Sequence, residues 1–452
     1  MGDIAEFLGD SVTPASFPDH ILRWRNDRAA ATIALDQLDD AQWLDHFGRF
    51  VPLPGNVSPP LALRYHGHQF GTYNPDLGDG RGFLFGQCRA VDGRWLDLGT
   101  KGSGQTPYSR FGDGRLTLKG AVRELLATEM LEALGVPTSR TFSIVETGEH
   151  LHRNDEPSPA RGAVMVRLNH GHIRIGSFQR LAALGDAVSM ERLLRYVLVT
   201  LLGAPADQVT TMSVADAAAM LVQHTVRQCA HTAAAYMVAG FVHGVLNTDN
   251  INVTGESFDY GPWRFTPHWE PMFTAAYFDH QSLYAFGRQP QVIHWNVGQL
   301  AIALRLIAPA EPMIAALEGF ADAYEAAIAR HMCWRLGVTQ SDTQSDRALV
   351  LAAEAMMRES QCLIDQFYID WSGANASQHR ALDNIAAPLI AALSGRASTR
   401  PHWWDEAAPQ SLAIEEVESL WASIANDDDW APLYAKVEAI RAMGTALGPA
   451  PM

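Results

Sequence analysis

What most constrains this chain is a change of texture partway along it. Between Leu61 and about Glu149 the sequence runs in short apolar segments broken by glycine turns. Gly82 to Ala90, the turn Val91-Asp92-Gly93, and Arg94 to Thr100 have the spacing of a hairpin. Leu118 to Leu134 then sets Val122, Leu126, Met130 and Leu134 four apart and closes with Gly135 and Pro137, which predicts an amphipathic helix. Thr141 to Val145 and Gly162 to Arg167 read as strands around the turn-prone Asp155 to Pro159. Beyond Ser177 the apolar spacing becomes helical, in 185 to 202, 213 to 240 and 298 to 332, with a loop-rich interruption from His243 to Pro290. The expected class is α+β, a small sheet-rich lobe followed by a larger helical one.

At 452 residues the chain can bury more than one core. The boundaries expected are an N-terminal wrap (1–60) with no visible chemistry, a sheet-rich lobe (61–160), a helical lobe (161–335) and a C-terminal helical extension (336–452). The stretch Thr339 to Asp346, with two Gln-Ser-Asp tripeptides, reads as the linker into that extension. Fifty acidic against 34 basic residues leave a net charge of -16, the wrong sign for coating a nucleic-acid backbone. Cys88, Cys229, Cys333 and Cys362 are far apart, form no zinc-type pattern and read as buried reduced thiols. The N-terminal residues lack a basic leader, and no apolar run approaches a membrane span. A cytoplasmic protein without a membrane partner is expected.

The chemistry-bearing residues come in a fixed order. Leu77-Gly78-Asp79-Gly80-Arg81-Gly82 precedes a strand, where glycines let backbone amides approach phosphate, although a plain turn fits equally. Lys101 ends a strand and Glu124 follows on the helix; such a lysine and glutamate orient ATP phosphates in protein kinases, and two solvated charges are the alternative. His243-Gly244-Val245-Leu246-Asn247-Thr248-Asp249-Asn250 has the length and ends of a kinase catalytic loop, and Asp259-Tyr260-Gly261 follows like the metal-binding Asp-Phe-Gly. Asn250 and Asp259 are then candidate oxygen ligands for magnesium. Val245 stands where a kinase has its catalytic aspartate, so ordinary phosphotransfer is disfavoured. Asp249 is the replacement carboxylate, unless it only caps a turn. His66 with His68 and His170 with His172 lack a third ligand type and read as hydrogen-bonded loop residues rather than a zinc site. Trp403, Trp404 and Trp421 read as packing aromatics.

These strings resemble the selenoprotein O family, a pseudokinase-fold group that transfers AMP to proteins. The likeness runs from Arg64-Tyr65-His66-Gly67-His68-Gln69-Phe70-Gly71 through Gly99 to Arg115, the Glu124 helix, His172-Ile173-Arg174, and His243 to Pro262. It continues through Asp279-His280-Gln281 and Gln289-Pro290, covering roughly residues 60 to 330. It implies a protein-kinase-like two-lobe fold and an adenylyltransferase acting on Ser, Thr or Tyr of proteins, itself included, with release of pyrophosphate. Gly78, Gly80, Arg81, Lys101, Asp113 and Gly114 would contact ATP, with Glu124 as partner of Lys101. Arg167 and Arg174 would grip the γ-phosphate of a nucleotide bound end-for-end relative to kinases. Asp249 would be the proton acceptor, and Asn250 and Asp259 the ligands of Mg²⁺ or Mn²⁺. UTP use with manganese, an ATP-binding scaffold without turnover, and a conventional phosphotransferase remain as alternatives. Unlike many members, the sequence ends Gly448-Pro449-Ala450-Pro451-Met452 with no cysteine after Cys362, so no redox switch at the tail is expected.

Overall fold

The computed structural model describes residues 2–54, 56, 58–154, 156–374, 383–399 and 407–451. In chain order the strands are β1 (Gly9–Ser11), β2 (Ile21–Arg25), β3 (Leu61–Leu63), β4 (Gly67–Gln69), β5 (Thr72–Asn74), β6 (Leu84–Arg89), β7 (Trp95–Lys101), β8 (Leu116–Thr117), β9 (Arg140–Leu151), β10 (Ala160–Asn169), β11 (Phe241–Val242) and β12 (Arg264–Phe265). Eight of them form one antiparallel sheet in the order β1-β3-β6-β7-β10-β9-β2, with β8 pairing β10. The expected hairpin is β6–β7, paired from Leu84 opposite Gly99 to Arg89 opposite Trp95 with a shift of register between Leu84 and Gly86.

Strands β9 and β10 run well past the predicted segments. Their outer halves carry charged residues that break the apolar alternation. Those charges are satisfied laterally: Glu146 on β9 accepts from Arg161 on β10 at 2.6 Å and from Arg23 on β2 at 2.7 Å. The N-terminal segment contributes the sheet's two outermost strands, β1 and β2. It also contributes the helix Asp40–Phe47, whose Trp43 stacks on Phe142 with ring centroids 4.8 Å apart. The Asp39–Gln42 capping box starts this helix and satisfies its first free amides.

The helix Leu118–Ala133 packs against β9 and β10 and begins at Thr117, whose side chain caps Gly120. Its apolar residues are buried, and so are Glu124 and Glu129. The second half of the chain is helical around Val214–Ala239, which Ser213 caps and Gly240 ends in the left-handed region (φ 69°). The predicted helical stretch 298 to 332 is divided among Gln289–Leu304, Glu311–Glu318 and Phe320–Leu336.

The linker expected over Thr339 to Asp346 holds only as far as Asp342, between the helices Phe320–Leu336 and Thr343–Ser360. Asp342 caps a helix that starts at Thr343, and Asp346 inside it is buried against Arg396 at 2.6 Å. A Gln-Ser-Asp tripeptide suits a helix start as well as a loop, because Asp is a strong N-cap. The four cysteines are free; Cys229 and Cys333 are buried, Cys88 and Cys362 half-buried. Trp421 packs against the main core, and Trp403 and Trp404 lie outside the described residues. Among the described residues no helix is long and apolar enough to cross a membrane.

Candidate active site

A cavity of about 830 Å³ is lined by the turn before β6, the end of β7, β10 and the segment 245–261. Gly78, Gly80, Arg81, Lys101, Asp113, Gly114, Arg167, Arg174, Asp249, Asn250 and Asp259 all line it. Glu124 sits behind this wall, buried, with its carboxylate on the Lys101 ammonium.

Sheet register explains how two of the cations meet. Lys101 on β7 pairs with Met165 on β10, and Arg167 lies two residues further along, so both side chains leave the same face of the sheet. Arg174 arrives from the N-cap position of the helix Ile175–Leu184. All three converge on Asp259: Arg167 Nη1 at 2.9 Å, Lys101 Nζ at 3.3 Å and Arg174 Nη2 at 3.5 Å. Asp259 adopts φ +66°, unusual for a residue with a side chain, in placing its carboxylate there. Burial alone would raise the Asp259 pKa, but Arg167, Lys101 and Arg174 outweigh it and hold the carboxyl well below the usual range.

Asp249 is the opposite case. It lies in the short 3-10 turn Thr248–Asn250, buried, and its Oδ1 has no hydrogen-bond partner. Burial pushes its pKa up to about 6; nearby Asp259 adds to the rise, while its own backbone amide and Arg174 oppose it. One carboxylate oxygen of Asp249, Oδ1, is thus buried without a hydrogen-bond partner. Gly67 lies directly against it: a Cβ there would sit 2.7 Å from Oδ1. One cavity thus holds two carboxylates whose environments push their proton affinities in opposite directions.

A family model described as protein adenylyltransferase SelO matches residues 3–407. Relatives named protein nucleotidyltransferase YdiU are similar over nearly the whole chain. That of Synechocystis sp. is 41% identical over 469 residues, covering 96% of this chain and 95% of its own. That of Synechococcus elongatus is 41% identical, covering 95% and 91%. The more distant relative from Methylorubrum populi is 35% identical, covering 89% and 74%. The chain belongs to the SelO family. Membership makes it a protein nucleotidyltransferase, and the match extends beyond the segment of roughly residues 60 to 330 that the motifs marked, at both ends.

Within this SelO chain the glycine turn has a second explanation. Gly78 lies under the ring of Tyr108, where any Cβ would overlap it, so bare backbone is needed there for packing whatever binds above. The turn is lashed in place: Thr106 Oγ1 donates to the Asp79 carbonyl and Ser109 Oγ to the Gly80 carbonyl, both at 2.5 Å. Asp113 is held by Arg153 at 2.8 and 3.1 Å and accepts from the Arg115 amide, fixing the loop that carries Gly114.

Several contributors escaped the sequence reading. Asp79, between the two glycines, binds Arg174 Nη1 at 2.9 Å and so shares that guanidinium with Asp259. Tyr108 hydrogen-bonds Asp10 of β1, which also binds Arg64 at 2.9 Å, so the N-terminal segment supports the site from behind. An acid flanked by glycines was a usable signal for Asp79; nothing local marks Asp10. Of the four histidines read as hydrogen-bonded loop residues, His66 and His170 are so; His68 is hydrogen-bonded but lies in β4, and both ring nitrogens of His172 are buried without a hydrogen-bond partner. His66 bonds the Tyr73 hydroxyl and His170 the Leu201 carbonyl, His68 accepts from Gln179, and the backbone amide of His172 donates to Asp97.

Proposed function

We propose that this chain transfers the AMP moiety of ATP to Ser, Thr or Tyr hydroxyls of proteins and releases pyrophosphate, on a kinase-like two-lobe frame. The observation that carries the reading is the pairing of a buried three-cation cluster with a buried carboxylate, Asp249, one oxygen of which has no hydrogen-bond partner, in one cavity. Lys101, Arg167 and Arg174 supply the charge to hold two terminal phosphates, and arginine forks suit several oxygens at once. With those phosphates held, the α-phosphorus is presented to the acceptor. The acceptor oxygen bonds to the α-phosphorus, the bond from that phosphorus to the bridging oxygen of pyrophosphate breaks, and the acceptor proton passes to the Asp249 carboxylate.

Asn250 and Asp259 would hold the magnesium or manganese ion. Their donors are hard oxygens lining one cavity, which fits such a cation. The three cations now on Asp259 are also the groups that phosphate oxygens would draw away, leaving carboxylate oxygen available. When bound, a divalent ion supplies neutralisation of phosphate charge.

Val245 lines the cavity and cannot accept a proton, which leaves Asp249 as the base and disfavours γ-phosphoryl transfer. The test is label. With a generic acceptor or the protein itself, α-labelled ATP should mark protein and γ-labelled ATP should not, and Asp249→Ala should lose the mark while still binding nucleotide. Label arriving from the γ position would restore the kinase reading; none from either would favour an ATP-binding scaffold. Running the same assay with α-labelled UTP and manganese settles the nucleotide.

A further inference from the structure

The helix Leu118–Ala133 presents two buried acids on different sides. Glu124 meets Lys101, while Glu129, about 140° further round the helix axis, faces away from the cavity and meets the last helix of the chain, Ala431–Leu447. There Arg441 grips Glu129 with both prongs, Nε to Oε2 and Nη2 to Oε1, each at 2.8 Å. Glu129 has only 3% of its side chain exposed, and its other cation, Arg28, stands at 3.5 Å. One turn beyond Arg441, Gly444 lets the two helices touch: a Cβ there would lie 3.0 Å from Ala133.

The other end of the helix is tied as well. Glu418, on the helix Ile414–Asp427, accepts from Lys119 at 2.7 Å and lies 3.9 Å from Arg123. Arg123 in turn donates to the Trp263 carbonyl at 3.1 Å, four residues past Asp259. The C-terminal helix pair thus brackets the Glu124 helix at both ends, and that helix itself bonds the segment that carries Asp259.

We propose that this helix pair is a splint that sets the position of Glu124, with Arg441 as its principal positioning residue: through Glu129 it fixes the rotation and depth of the helix, and hence how Lys101 is presented to nucleotide phosphate. A bidentate arginine on a buried carboxylate fixes orientation as well as distance, which a purely apolar helix contact does not. The inference rests on the proposed role of Lys101 in holding ATP, but not on which phosphorus is attacked.

The test is a double-mutant cycle read by ATP binding and by the KM for ATP, using the full chain. Arg441→Ala should weaken ATP binding by about tenfold, within the range coupled neighbours show, with kcat changed less than KM. In a Glu124→Ala background the same substitution should have no further effect, because the group through which it acts is gone. Arg441→Lys, which keeps the charge and loses the fork, should give an intermediate KM, and it carries the cycle if the alanine variant does not fold. Equal effects of the Arg441 substitution with and without Glu124, or unchanged ATP affinity in both variants, would overturn the proposal. A wild-type protein that binds no ATP would instead overturn the functional reading itself.

Discussion

Replacing the proposed base should make the protein more stable, not less. Asp249 is buried and its pKa is raised from the ordinary 3.8 to about 6. The folded state therefore holds the proton more tightly than the unfolded chain does, so stability falls as pH rises through this window. Below about pH 4 the group costs little. Above about pH 6 its full cost is present, and a rise of about two pH units at 1.36 kcal/mol each amounts to about 3 kcal/mol. Asp249→Asn keeps the shape and removes the charge. Urea unfolding of both proteins from pH 5 to pH 8 should show the variant more stable by about 1.5 kcal/mol at pH 5 and about 3 kcal/mol at pH 7 and above, by the same linkage. Label transfer by the variant should be lost over the whole range, the exchange of stability for activity expected where a charge is kept buried for chemistry. A stability difference independent of pH, or a variant less stable at pH 8 than at pH 5 relative to wild type, would refute the assignment of a raised proton affinity to this carboxylate.

The same proton affinity predicts an acid limb near pH 6 in kcat for the wild type, visible in a pH profile with saturating ATP. Asp259→Ala should abolish transfer, as should excess EDTA; activity surviving either treatment would remove the cation from the site. Glu124→Ala should raise the KM for ATP about tenfold while shifting the thermal midpoint little, because Lys101 keeps Asp259 at 3.3 Å and is not left as an unpaired buried charge. Gly67→Ala would place a methyl 2.7 Å from Asp249 Oδ1 and displace the base; kcat should fall by more than tenfold with ATP binding retained, as equilibrium titration would show.

The division between local and tertiary information follows the reach of each interaction. Hairpin β6–β7 and the helix after Thr117 were legible because their signals, alternation, turn chemistry and four-residue spacing, act between near neighbours in the chain. The candidate site residues were legible as an ordered string, and the structure brings all but Glu124 to one cavity, with Glu124 directly behind it. The sequence by itself determined the α+β order of elements, the family, and the residue types available for chemistry. What only the tertiary structure decided are the pairings and the protonation. Asp79 with Arg174, Asp10 with Tyr108, and Glu129 with Arg441 join residues 95, 98 and 312 apart in the chain. An ion pair or a side-chain hydrogen bond leaves no periodic trace in sequence, so such partners are found only once the chain has closed on itself. The distinction between Asp249 and Asp259 has the same origin. Two aspartates ten residues apart are chemically identical in the sequence; burial raises the proton affinity of one, and burial among three cations holds the other ionised.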